Sequence, residues 1–163
     1  MLNQFTIQPQ EKSEWCWAAV AVSIDKYFNP RSSLTQCEIA TRVIGKDCCK
    51  NGSSCNEAET LIRALQDIRR WKRTINGFVT FQEVKQELDA LRPVCARILW
   101  PDGYAHFVVL VGYEVLHSGA RHVDIADPWN PSSTVDFDQF TTAYLGDGKW
   151  VDTYLVTESS KQN

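Results

Sequence analysis

Long apolar runs are missing from this 163-residue sequence: none approaches the ~18 residues needed to cross a bilayer, so no membrane span is expected. Residues 1 to 20 also lack a basic start followed by an apolar stretch; no export leader is read there, and the compartment stays open. Charge of one sign is scarce as well. The 17 basic and 20 acidic residues are dispersed, with a net charge of −3, and the basic blocks that would hold a phosphate backbone are absent. Nucleic acid is therefore not an expected partner. Histidine occurs three times, which narrows any imidazole base to His106, His117 or His122. The paired C-x-x-C element of common zinc sites is missing, so neither a metal nor another cofactor is expected. No internal repeat or low-complexity tract interrupts the chain. Apolar material is plentiful, at 44% hydrophobic and 11% aromatic, enough to bury one core, and a single domain over residues 1–163 is expected.

Helical periodicity dominates the first part of the chain. Residues 15 to 28 place Trp17, Val20, Ala21, Ile24, Tyr27 and Phe28 at helical spacing and predict a central, largely buried helix that Asn29-Pro30 ends. A second helix starts at Thr35, where Thr35 and Glu38 form a capping box, and stops at Gly45. A third is predicted over 57 to 69, with Asn56 as its cap, Glu59 three residues on, and Leu61, Ile62, Leu65 and Ile68 as its apolar stripe. Thr80 and Glu83 repeat the capping box for a fourth, which Arg92-Pro93 breaks. Beyond Pro93 the pattern changes to β-branched and aromatic runs at 94 to 99, 106 to 113, 121 to 126 and 149 to 156. His117 to Ala120 reads as a hairpin turn, and Asp136 with Gln139 caps a short helix around 137 to 144. Helices first and strands second predict an α+β fold, a helical half packed on an antiparallel sheet with a cleft between them.

Cys16 lies in the first turn of the buried helix, where unpaired backbone N–H groups and the helix dipole favour a thiolate, the nucleophilic form of cysteine. The plain alternative is a small apolar core residue. A thiolate attacking a carbonyl also needs a donor for the developing oxyanion, and Gln10, six residues earlier, can turn its amide back toward the thiol; Gln4 and Gln8 stand nearby, and any of the three could be a surface glutamine. His106 opens the strand HFVVLVGY after the loop WPDGYA, so its ring belongs at a sheet end where a cleft forms. His117 sits in a turn, and His122 begins the return strand. Asp127 ends that return strand before Pro128. If the two strands pair as an ideal hairpin, position 106 falls opposite about residue 131, within a few residues of Asp127. An Asp-Pro that merely starts a turn is the ordinary explanation of Asp127.

Gln10, Cys16-Trp17, His106 and Asp127, in that order, resemble the oxyanion glutamine, nucleophile, base and orienting residue of papain-like cysteine peptidases. WCWAA, GYAHFVVLVGY and DIADPW are similar to compact bacterial members, including double-glycine leader peptidases and effector proteases injected into hosts, over about Gln10 to Val156. Ser13-Glu14-Trp15 replaces the small residues that precede the nucleophile in plant and lysosomal members, and Asp127 stands where those enzymes carry asparagine. The resemblance implies a papain-like fold with a helical half of about 10–92 and a β-rich half of about 93–157. It also implies a cysteine endopeptidase acting on a protein or peptide substrate, with room for a cognate inhibitor or immunity protein. A cysteine-dependent deamidase or acyltransferase uses the same groups, and an inactive binding module would keep the same fold. Trp15, Trp100, Tyr104 and Trp129 are expected along the cleft; core packing is their ordinary role.

Cys37, Cys48, Cys49 and Cys55 form a separate cluster. Adjacent Cys48 and Cys49 do not bridge each other without strain, so a full disulfide framework would pair each with either Cys37 or Cys55; both connectivities stay open, and free thiols are the alternative. Cys95, inside VCARIL, is expected to be a core residue. Bridges would point to an oxidising environment and favour a secreted or injected effector over a resident cytoplasmic enzyme.

Overall fold

The apolar run after Trp15 forms α1 (Cys16–Phe28), in which every residue from Cys16 through Ile24 is buried. A helix that is apolar all round has to be central. Ser23, the hydroxyl in that run, donates to the Ala19 carbonyl and accepts from the Gln8 N–H, so no polar atom there is left unpaired. The computed structural model describes residues 1–50 and 52–158. Among them the chain builds five α-helices and six strands.

Both capping boxes form as their sequences require. Thr35 and Glu38 cap α2 (Gln36–Ile44), and Gly45 ends it in the left-handed region at φ 82°, a conformation that favours glycine. Thr80 and Glu83 cap α4 (Phe81–Asp89). The third helix departs from expectation. α3 (Leu61–Asp67) begins four residues later than predicted, with Thr60 at its N-cap. Asn56 is occupied elsewhere: its Oδ1 accepts from the Glu14 N–H and its Nδ2 donates to Ser13 Oγ.

The strands β1 (Trp71–Asn76), β2 (Val94–Leu99), β3 (Ala105–Val115), β4 (Arg121–Ala126), β5 (Ser133–Asp136) and β6 (Lys149–Val156) form one antiparallel sheet in the order β1-β6-β2-β3-β4-β5. Two of them, β1 and β5, were not predicted. Both lie at sheet edges, where one side of the strand needs no partner, and β1 carries Lys72 and Arg73 toward solvent. β1 comes from the helix-rich part of the chain and pairs with β6.

Side chains alternate across the sheet, so successive residues of β3 enter different layers. Phe107, Val109 and Val111 face the layer of α1, α2 and α3 together with Cys95, Tyr154 and Val156. Val108 and Leu110 face α4 and the short α5 (Phe137–Ala143), with Val94, Ile98, Val123 and Ile125. The fold is α+β, with the N-terminal helices against an open sheet, as the resemblance implies. The cysteine cluster resolves into Cys37–Cys49 and Cys48–Cys55, one of the two open connectivities, with Cα–Cα distances of 5.0 and 5.5 Å. Cys48 and Cys55 lie in the helical core, whereas Cys49 is exposed. Cys95 is buried and free, and burial pushes its thiol far up.

Candidate active site

Cys16 is the first residue of α1, and Trp15 at the N-cap supplies no side-chain hydrogen bond to the first turn. The segment before it is held from two directions. On the sheet side, the Gln10 N–H donates to the Pro128 carbonyl at 2.9 Å, which ties the pre-helical loop to the segment that follows β4. On the helical side, the indoles of Trp15 and Trp17 donate to the carbonyls of Cys55 and Glu57 at 2.7 and 3.0 Å, and Asn56 holds Ser13 and Glu14. The Cys48–Cys55 disulfide closes that receiving loop. Trp15 is 1% exposed and therefore offers no face to a bound chain.

His106 enters from β3, opposite Ile98 of β2, and is buried. Asp127 follows the last residue of β4. A register shift between Leu110 and Gly112 sets Val109 opposite Ala126, so the hairpin, if continued, puts His106 opposite Trp129 rather than residue 131. That brings Asp127 within side-chain reach. His106 Nε2 and Asp127 Oδ1 stand 2.7 Å apart, and both side chains are almost wholly inaccessible. With Nε2 engaged, Nδ1 is the ring nitrogen left for the sulfur. It is buried without a completed hydrogen bond, while the Cys16 thiol is close enough to act on the ring. Such contacts are commonly loose before substrate arrives.

Burial alone would push the imidazole down. The hydrogen bond to Asp127, the interaction with the nearby Cys16 sulfur and the charges of both outweigh burial and hold His106 up at about 9. Burial alone would likewise raise the Asp127 carboxyl; the hydrogen bond and charge of His106, with the amides of Trp129 and Asn130, bring it down to about 2. Charged imidazolium beside charged carboxylate is the favoured state at neutral pH.

Two side chains around Asp127 were not singled out as site residues from the sequence. Asn130 Nδ2 donates to Oδ2 at 3.1 Å and Tyr144, from the end of α5, donates to the same oxygen at 2.9 Å. The Asn130 contact closes a short DPWN turn that the Asp-Pro pair does foreshadow. Tyr144 is seventeen residues away in sequence, and only the packing of α5 brings it there.

Gln10 is buried, and its Nε2 donates to the carbonyls of Lys12 and Ser13 at 2.9 and 2.8 Å, with Oε1 left unpaired. Tyr104 stacks beside His106 with ring centroids 6.3 Å apart and 16° between planes, and is 43% exposed. Trp100 packs on Tyr104 at 5.6 Å. Trp129, 58% exposed, donates its backbone N–H to Asp127 Oδ1. Tyr104 and Trp129 thus present aromatic surface at the rim of the His106–Asp127 pair, with Trp100 behind Tyr104. His117 lies in the hairpin turn and His122 pairs with Glu114 and Asp136, so neither faces Cys16.

The family described as papain-like cysteine protease AvrRpt2 matches residues 2–145. The chain belongs to that family. A comparison with curated proteins gives no match. Membership in the AvrRpt2 family makes the chain a cysteine peptidase with a papain-like fold, and a peptidase of this kind acts on protein substrates. Among the described residues, no helix of this AvrRpt2-family peptidase is long and apolar enough to cross a membrane.

Proposed function

We propose that this peptidase hydrolyses peptide bonds with Cys16 as nucleophile, His106 as the proton carrier and Asp127 as the residue that orients the imidazole. The observation that carries the proposal is the buried 2.7 Å contact of His106 Nε2 with Asp127 Oδ1, which leaves the other ring nitrogen for Cys16. The Cys16 thiolate forms a bond to the scissile carbonyl carbon while the carbonyl electron pair moves onto oxygen. The Cys16 N–H at the helix start and the Gln10 carboxamide receive that oxyanion. Both Gln10 hydrogens are engaged by loop carbonyls, so its donation requires a shared hydrogen or a turn of the amide. Collapse of the intermediate breaks the carbon–nitrogen bond, and the amine leaves with the proton of the His106 imidazolium. Neutral His106 then takes a proton from water, the hydroxide attacks the thioester, and the thiolate departs.

The enzyme is further proposed to work as a secreted or injected effector. Two disulfides support a life in an oxidising compartment, and the bacterial effector type of the family agrees with it. Mass spectrometry of a proteome treated with wild-type and Cys16→Ala protein tests the reaction. New peptide termini that appear with the wild type alone are the expected result. Undiminished cleavage by Cys16→Ala would refute the nucleophile, and mass gains of about one unit without new termini would make the reaction a deamidation.

A further inference from the structure

The Asp127 carboxylate is surrounded more completely than orientation of one imidazole requires. Oδ1 accepts from His106 Nε2 and from the amides of Trp129 and Asn130, at 2.7, 2.8 and 3.0 Å. Oδ2 accepts from Asn130 Nδ2 and the Tyr144 hydroxyl. Four of these five donors come either from His106 or from the turn next to Asp127 itself. Tyr144 is different, because it reaches the carboxylate from another element, the end of α5.

Its placement is constrained on every side. Tyr144 is 2% exposed and its ring meets Phe140 edge-on at 5.2 Å and Trp100 at 6.4 Å. Its backbone N–H and carbonyl are both paired with Gly148, at 2.8 and 3.0 Å. Gly148 cannot be larger: a Cβ there would stand 2.7 Å from Ile98 Cγ2, from Trp100 Cε2 and from the Tyr144 carbonyl. Ser133 Oγ lies beside the phenol without completing a hydrogen bond to it, so the hydroxyl has one firm partner. A carboxylate can only accept, so the phenol must donate to it. Burial, with the charge of Asp127, pushes the Tyr144 hydroxyl far up and keeps that proton in place.

We propose that Tyr144 is a positioning residue for the peptidase reaction: its hydroxyl, fixed by the Phe140–Trp100–Gly148 packing, pins Asp127 Oδ2 so that Oδ1 faces His106. Building on the catalytic roles proposed above, it assigns to the end of α5 a part in catalysis that the spacing of Gln10, Cys16, His106 and Asp127 does not contain. The titratable groups facing the pair are Cys16 from α1, Tyr104 from the loop before β3, and Tyr144. Removing one donor from the carboxylate destabilises its charged form and lets it swing, and a misplaced imidazole slows chemistry without weakening substrate binding.

The test is Tyr144→Phe, which keeps the ring and deletes the donor. Turnover of a peptide substrate is expected to fall about tenfold in kcat with KM unchanged, and the Asp127 carboxyl, followed by carbon NMR, to titrate about one pH unit higher. In an Asp127→Ala background the same substitution should change kcat no further, since its effect passes through that carboxylate. Asn130→Ala removes the other Oδ2 donor and gives a second handle should the tyrosine variant fold poorly. The pair of substitutions should exceed either one. A Tyr144→Phe enzyme with wild-type kcat and an unmoved Asp127 titration would overturn the role of Tyr144 alone. Cys16→Ala protein that still cleaves would instead overturn the catalytic assignment beneath it.

Discussion

The two sides of the active site are held by different physics. The Cys16 side is clasped from outside the core helix: the segment Cys55 to Glu57, tied back to Cys48 by a disulfide, takes hydrogen bonds from both tryptophans flanking Cys16, and Asn56 grips the two residues before Trp15. The His106–Asp127 side has no covalent tie. Strand register, a buried charge pair and a ring of donors around one carboxylate hold it. Covalent closure acts mostly by limiting the unfolded chain, whereas buried charges act only when the native geometry is complete. Damage on the two sides should therefore differ in kind, with stability lost on one and chemistry lost on the other.

The largest effect belongs to the sheet side. His106→Ala should lower kcat by about a thousandfold while circular dichroism and the melting transition change little beyond a core substitution. A variant that keeps its rate would put the proton carrier elsewhere. On the other side, the double variant Cys48→Ala with Cys55→Ala should cost about 2–5 kcal/mol in chemical denaturation, with His106 titrating as before. Should the His106 titration collapse at full folding, the two sides would not be separable. The smallest effect is expected from Asn56→Ala, about 1 kcal/mol, because it removes two exposed hydrogen bonds. A loss comparable to that of the disulfide would make Asn56, rather than the bridge, the main clasp.

Legibility in the sequence follows the same division. Capping boxes are short-range chemistry, so Thr35 with Glu38 and Thr80 with Glu83 could be read directly. The buried α1 declared itself through apolar residues on every face. Asn56 misled because its side chain suits a helix cap, and a tertiary contact 43 residues away claimed it instead. The edge strands β1 and β5 carry charged and hydroxylated residues without a clean alternation, and only their pairing with β6 and β4 makes them strands. At the site, chain order singled out Cys16, His106 and Asp127; His106 Nε2 meets Asp127 Oδ1 at 2.7 Å. Tyr144 was silent because nothing local distinguishes a tyrosine that ends a short helix from one that fills a core. Trp15 has the composition of a cleft residue, yet the indole N–H finds the Cys55 carbonyl inside the core.

The central claim is that Asp127 keeps the His106 imidazole charged against its own burial, ready to pair with the Cys16 sulfur. Nitrogen NMR of the His106 ring as a function of pH measures this directly, in the wild type and in Asp127→Asn. The expected midpoint is about 9 in the wild type, with a marked downward move once the carboxylate charge is removed. A wild-type midpoint at or below the ordinary histidine range near 6.5, unchanged in Asp127→Asn, would contradict it.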